Sequence, residues 1–523
     1  MSWSADLEEG NGRIYRSGGT VPSYSGGRHR SEEPHMGGNV RPSILVIGAG
    51  FGGIGVAIEL RRHGFDDITI LEKASDLGGV WRENTYPGAA CDVPSPLYSY
   101  SFEPKPDWPQ RYSGQAAIHD YLKGVARRHG LLERIEFGAE VTEAGFDEQT
   151  GRWEIRTADG ATRTADVLIS AVGQLSRPAL PSIPGIETFP GPAFHSALWD
   201  HEVDLTGKRV VSIGTGASAI QYIPAIQPEV GHLTVFQRSA PWILPKFDTN
   251  YSPLQHKVFA RIPGALSVER LGWWLVAEVS SLGLVDVPWI AKAVSRICAR
   301  HLRKSVADPR LRAALTPDYP VACKRILFSS DYYPALTQPN VTVETTPIAE
   351  ITPQGVRTTD GRLHEADVIV YGTGFKGTEF LWPMRVRGRG GRELADSWSE
   401  GAHAYYGMTV PEFPNLFMVY GPNTNLGVGS IIYMIESQAR YIRQALRLLV
   451  EHPGRVLEVR ADVEQEFNET LQQRLGRSVW NFCTSWYRNA AGRITNNWPG
   501  TVTSYRRRVR KLDPDDYTLT PAA

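Results

Sequence analysis

Two short apolar runs, Ser43-Ile44-Leu45-Val46-Ile47 and Arg209-Val210-Val211-Ser212-Ile213, each pass directly into a glycine-rich turn and then into apolar residues at helical spacing. No other feature restricts the fold as much. A short β-branched run ending in glycine reads as a strand buried on both faces of a parallel sheet. Parallel strands need a crossover, usually a helix. Ile68-Thr69-Ile70-Leu71 completes the first β-α-β unit and Leu233-Thr234-Val235-Phe236 the second. The expected class is α/β, with two Rossmann-like, doubly wound dinucleotide-binding units.

A second echo sets their order. Ala165-Asp166-Val167-Leu168-Ile169-Ser170-Ala171-Val172-Gly173 resembles Ala366-Asp367-Val368-Ile369-Val370-Tyr371-Gly372-Thr373-Gly374, and each follows a hairpin signal, at Asp159-Gly160 and Asp360-Gly361. The simplest arrangement nests the second unit in the first. It gives a first domain of residues 41–180 and 366–523 and a second of 205–365, the latter carrying a Trp-rich helical insertion at 251–318. Residues 1–40, rich in Gly, Ser, Arg and Glu without periodicity, are expected to form a flexible tail.

The two turns differ in chemistry. Gly48-Ala49-Gly50-Phe51-Gly52-Gly53 is G-x-G-x-x-G: Gly48 for the tight turn, Gly50 for backbone approach to a pyrophosphate at the helix N-terminus, and Gly53 for helix–strand packing. Glu72 lies 19 residues after Gly53, where a carboxylate accepts from ribose hydroxyls and repels a 2′-phosphate. In Gly214-Thr215-Gly216-Ala217-Ser218-Ala219 the same count from Ala219 reaches Arg238, followed by Ser239. A cation in that slot suits a 2′-phosphate. The first unit therefore reads as FAD-binding and the second as NADPH-binding, which together imply hydride transfer to flavin.

Composition narrows where the electrons then go. Lys+Arg and Asp+Glu both number 56, so no net field favours nucleic acid. The basic run at 506–511 is followed by Asp513, Asp515 and Asp516 and reads as a solvated face. Cys91, Cys298, Cys323 and Cys483 are far apart, which argues against a disulfide framework, a zinc or other metal site and a redox dithiol, and fits a reducing cytoplasm. No apolar leader stands at the N-terminus, and no run of 18 uncharged apolar residues predicts a membrane span. The nearest approach, Leu271 to Ile290, reads as buried helix rather than membrane contact. Without a dithiol, oxygen or an external acceptor remains.

Gly78-Gly79-Val80-Trp81-Arg82-Glu83-Asn84-Thr85-Tyr86-Pro87-Gly88-Ala89-Ala90-Cys91-Asp92 resembles the long first signature of the type I Baeyer–Villiger monooxygenases, [AG]-G-x-W-x4-[FY]-P-[GM]-x3-D, at every fixed position. Phe189-x-Gly191-x3-His195-x3-Trp199 resembles their second signature, where the related N- and S-oxygenating enzymes usually carry Tyr or Phe in place of Trp199. The resemblance spans about residues 41–510. It implies insertion of one atom of O2 beside the carbonyl of a ketone or aldehyde, through a flavin C4a-peroxide, to give an ester or lactone. It implies that Lys324 approaches the 2′-phosphate, that Arg325 is catalytic beside the flavin, and that Asp92 orients it. It further implies that Gly79, Val80, Trp81, Tyr98 and Val141 lie along FAD and Trp486 near NADP, with His195 as a linker organiser. Arg488-Asn489-Ala490-Ala491-Gly492 departs from the loop of cyclohexanone-type members. With Trp498 and the apolar insertion (Trp273, Trp274, Leu275, Val276, Leu282, Leu284, Val285, Trp289, Ile290), this departure suggests a pocket for bulky apolar ketones. An N- or S-oxygenase, an uncoupled NADPH oxidase and an NADP(H)-binding redox sensor are the alternatives; oligomeric state is left open.

Overall fold

The computed structural model describes residues 41–286, 288–483 and 485–522, without the side chains at 283–288. The expected tail at 1–40 and the side chains of Leu284 and Val285 lie outside them. A five-stranded sheet runs Leu416–Met418, Val167–Ser170, Ile44–Ile47, Ile68–Glu72, Ile135–Phe137. All four junctions are parallel, with Ile44 opposite Ile68 and Val167. Every residue of Ile44–Ile47 is buried, as a strand covered on both faces must be. Helix α1 (Phe51–Arg61) leaves the glycine turn and buries Ile54, Val56, Ala57, Ile58 and Leu60.

The second sheet runs Val341–Glu344, His232–Phe236, Arg209–Ile213, Val368–Tyr371, Ala193–His195, again all parallel. Helix α2 (Ala219–Ile226) follows its glycine turn. This corrects the expected boundaries. Val368–Tyr371 pairs with Arg209–Ile213, so the second unit does not end at 365, and Ala193–His195 joins it from before 205. The repeat explains why: in each unit a hairpin leads into a strand that returns beside the first strand of its own sheet. The two hairpin turns are copies, with Thr157 Oγ1 donating to Asp159 Oδ1 and Thr358 Oγ1 to Asp360 Oδ1, both at 2.6 Å.

The insertion is helical as expected: α3 (Pro253–Arg261), α4 (Ala265–Asp286), α5 (Pro288–Ser305) and α6 (Pro309–Ala314). Ser252 and Gln255 form a capping box at α3, and Asp308 caps α6. The expected burial fails. Leu271, Leu275, Val276 and Leu282 are half exposed or more, and Trp289 is 71% exposed. Periodicity marks a helix's apolar stripe but not what covers it. No helix among the described residues is long and apolar enough to cross a membrane. Helix α7 (Ile431–Glu451) follows the first sheet's edge strand Leu416–Met418 and packs along α1.

Candidate active site

Both glycine turns have the geometry a nucleotide needs. Gly48 and Gly214 have φ of +101° and +112°, and a Cβ there would stand 2.8 Å from Ala171 O and 2.3 Å from Gly372 O. At Gly53 a Cβ would reach 1.9 Å from Gly48 O, so the residue is small in order to seat α1 on its strand. At Gly50 and Gly216 the nearest atoms would be 3.6 and 3.9 Å away. A side chain at either position would fill an open cradle at a helix start that no side chain caps. This is room for a diphosphate. Glu72 is buried at the rim and accepts from the N–H groups of Ala49 (2.8 Å) and Ala74 (2.9 Å).

A cavity of about 670 Å³ opens from the first turn. Gly48, Gly50, Phe51, Glu72 and Val141 line it, as do Gly79, Val80, Trp81 and Tyr98 from the long first motif and the segment after it. Trp81 Nε1 donates to Tyr98 OH at 3.1 Å, and Tyr98 meets Phe51 edge-on at 5.4 Å. The lining residues and the glycine cradle fit a dinucleotide such as FAD.

Asp92 and Arg325, 233 residues apart, meet on the wall of this cavity. Arg325 Nη2 donates to both carboxylate oxygens, at 2.8 and 2.7 Å. The carboxylate holds the guanidinium firmly protonated, above its already high ordinary value. The Arg325 side chain is still 36% exposed, and its Nε and Nη1 form no protein hydrogen bond among the described residues.

The two motifs converge on α2. Tyr86 packs edge-on against Tyr222 at 6.2 Å and donates to Gln221 Oε1 at 2.9 Å. Trp199 reaches the same Tyr222 at 5.5 Å. Tyr222 OH is fixed 2.7 Å from Ser212 Oγ, on the strand before the second glycine turn. The signature aromatics thus tie the loop bearing Asp92 to the second unit. His195 is buried, its Nδ1 accepts from Ala197 N at 3.1 Å, and it does not line the cavity.

A cationic cluster lies at the second turn. Lys324 Nζ donates to Ser239 Oγ at 3.0 Å, and Thr215 Oγ1 donates to Ser239 O at 3.2 Å. Burial, and then the nearby charge of Arg238, lower the Lys324 pKa from its ordinary value. Two cations brought together in this way are relieved by an anion. Ala217 and Lys324 line the cavity, while Gly214, Thr215, Gly216, Ser218, Ala219, Arg238 and Ser239 lie off its wall.

Trp486 lies beside Gly377 and, with its ring tilted, against Tyr487 (4.5 Å), off the cavity wall that Tyr487 helps to form. Two expectations need correction. Trp498 is core, edge-on to Tyr505 at 5.1 Å. Cys323 and Cys483 form a disulfide across 160 residues of sequence. It joins the residue before Lys324-Arg325 to the loop before Trp486-Tyr487. Only the fold brings these cysteines together, so wide spacing was no argument against a bond, and the cysteine content gives no support to a reducing compartment. Cys91 and Cys298 are free and buried.

Sequence reasoning missed the floor of the site. Tyr420 and Asn425 line the cavity, and Tyr420 OH donates to Asn425 Oδ1 at 2.8 Å. Asn425 Nδ2 donates to Asn497 Oδ1 at 2.7 Å, and Asn496 Nδ2 to Gln174 Oε1 at 3.1 Å. Tyr420 and Asn423 have positive φ, strain that concentrates where function holds it. The available signal was the pair of Asn clusters, Asn423-Thr424-Asn425 and Asn496-Asn497, in otherwise apolar surroundings.

The family model described as FMO-like, flavin-binding monooxygenase-like, matches residues 41–277. A Baeyer-Villiger monooxygenase of Streptomyces coelicolor is 47% identical over 92% of this chain and 93% of its own length. One from Pseudomonas aeruginosa is 45% identical over 91% of each. Among solved structures, cyclohexanone monooxygenase from Rhodococcus sp. Phi1 bound to NADP+ superposes with a TM-score of 0.83 at 30% identity, over 92% of this chain and 99% of that one. An oxidised steroid monooxygenase bound to NADP gives 0.81 at 31%, with the same coverage.

Proposed function

The chain belongs to the Baeyer–Villiger monooxygenases, and on that premise we propose how its residues divide the work. The enzyme uses FAD and NADPH: ketone, O2, NADPH and a proton give ester or lactone, NADP+ and water. Bound FAD takes the hydride and supplies the oxygen chemistry. The first sheet and its helices (41–180 and the chain after 371) hold FAD, with the diphosphate at Gly48, Gly50 and Gly53, the ribose at Glu72, and Gly79, Val80, Trp81, Tyr98 and Val141 along its length. The second sheet holds NADPH at Gly214–Ala219, with Arg238, Ser239 and Lys324 around the 2′-phosphate.

Arg325 is the catalytic cation. It donates to the carbonyl oxygen of the ketone and stabilises the negative charge that builds there as the carbonyl carbon is attacked. A guanidinium suits this task because it stays charged at any working pH and keeps donors free after Asp92 has engaged Nη2. Asp92 is a positioning residue. The observation that carries this reading is the Asp92–Arg325 pair on the wall of the cavity that starts at the first glycine turn. The substrate is a bulky apolar ketone, since Trp273, Val276, Ala277, Ile290 and Val294 of the insertion add apolar wall. The test is a ketone panel with products identified by mass spectrometry and H2O2 measured in parallel. Esters at a yield matching NADPH consumption support the reading; sulfoxide or N-oxide alone, or H2O2 alone, would overturn it.

A further inference from the structure

Helix α4 is amphipathic in the reverse of the usual sense. Among its described side chains, the charged ones face the protein. Glu269 accepts from Tyr251 OH (3.1 Å) and Trp273 Nε1 (2.9 Å). Arg270 donates to Pro96 O (2.6 Å) and Ser99 O (2.9 Å), and Glu278 accepts from Thr503 N (3.2 Å). Val268, Leu271, Leu275, Val279 and Leu282 are each 50–69% exposed. At 100° per residue these five fall within an arc of about 80°, one continuous apolar stripe along the helix. Trp289, at the start of α5, is more exposed still.

The chain is neutral overall, but this hairpin is not. Helix α5 packs against α4, contains no Asp or Glu, and exposes Lys292, Arg296, Arg300, Arg303 and Lys304. None of the five meets a carboxylate at ion-pair distance among the described residues. A second copy of the chain is a poor occupant of this face. A two-fold interface sets like against like, so the cationic helices would approach each other while Glu269 and Glu278 of α4 stay turned inward. An anionic lipid surface meets both features at once, the apolar stripe and Trp289 entering the acyl boundary and the cations pairing with headgroups. We propose that the α4–α5 hairpin is a peripheral membrane-docking surface specific for anionic lipid. Trp273, Val276 and Ala277 of the same α4 line the cavity, so the docked face adjoins the site an apolar ketone must enter.

The test uses the FAD-loaded full chain in vesicle co-sedimentation, with phosphatidylcholine alone and mixed with phosphatidylglycerol. Binding should be at least about tenfold stronger to the anionic vesicles and weaken with added salt. Leu275→Ser with Val279→Ser, and separately Lys292→Glu with Arg296→Glu, should each lower it by at least about tenfold. Neither pair lines the cavity, so turnover of a water-soluble ketone and the melting temperature should be kept, which also reports folding. Wild-type protein that ignores anionic vesicles overturns the proposal, as do variants that bind like wild type. A stripe variant whose only effect is to dissolve a dimer in sedimentation velocity would reassign the face to self-association.

Discussion

Arg238→Ala tests the nucleotide assignment where the structure makes the outcome quantitative. Arg238 is exposed, so its interaction with a 2′-phosphate is screened, and Lys324 remains 3.0 Å from Ser239 to hold part of the charge. A charge-assisted hydrogen bond is worth about 1.5–3 kcal/mol and an exposed ion pair about 0.2–1 kcal/mol. The loss should fall between them, at about 1–2 kcal/mol, roughly 5- to 30-fold in kcat/KM for NADPH. NADH, which has no 2′-phosphate, should be used as before, and the NADPH deficit should shrink as salt is added. The assay is steady-state kinetics with each nucleotide at a fixed saturating ketone, with ester quantified. An equal loss with NADH would mean that Arg238 supports the fold of the turn rather than reading the phosphate. No loss with NADPH would place the phosphate elsewhere.

Four further outcomes follow from the same geometry. The Lys324 ammonium deprotonates below the ordinary lysine value, and phosphate binding favours its charged form; NADP+ affinity should therefore be full at lower pH and fall as pH rises through that lowered value. In Arg238→Ala one of the two causes is gone and the fall should begin at higher pH, as read by nucleotide titration between about pH 7.5 and 10. Arg325→Ala should retain its flavin spectrum but lose about 3–4 kcal/mol of stabilisation, roughly 10²–10³-fold in ester formation; ester at the wild-type rate would refute its role. Cys483→Ser should lower stability by about 2–4 kcal/mol in denaturant titration, and four reactive thiols in unreduced, unfolded wild type would show that the bond is absent. Across ketones of increasing carbon number, kcat/KM for ester formation should exceed that for cyclohexanone as apolar bulk grows, at about 0.8 kcal/mol per well-buried CH2; a steady fall with size would sink the pocket argument.

Elements governed by contiguous residues were legible before any coordinates. The two strand–turn–helix units, the copied hairpin turns and the helical insertion all follow from local periodicity and from glycines at positions that tolerate no side chain. The positions of Glu72, at the end of its strand, and Arg238, two residues past the end of its own, were legible for the same reason, since a fixed count along a β-α-β unit reaches the end of its second strand. Arg325 and Asp92 came only through family resemblance, because nothing in their own spacing links residues 233 positions apart. The tertiary structure alone decided the rest. Strand order moved Val368–Tyr371 into the second sheet, long-range proximity joined Cys323 to Cys483, and loop packing set Tyr487 rather than Trp486 on the cavity wall. It also left the apolar stripe of α4 uncovered. A sequence shows which face of a helix is apolar, but burial depends on whether another element arrives to cover that face, and that is a property of the whole chain's packing.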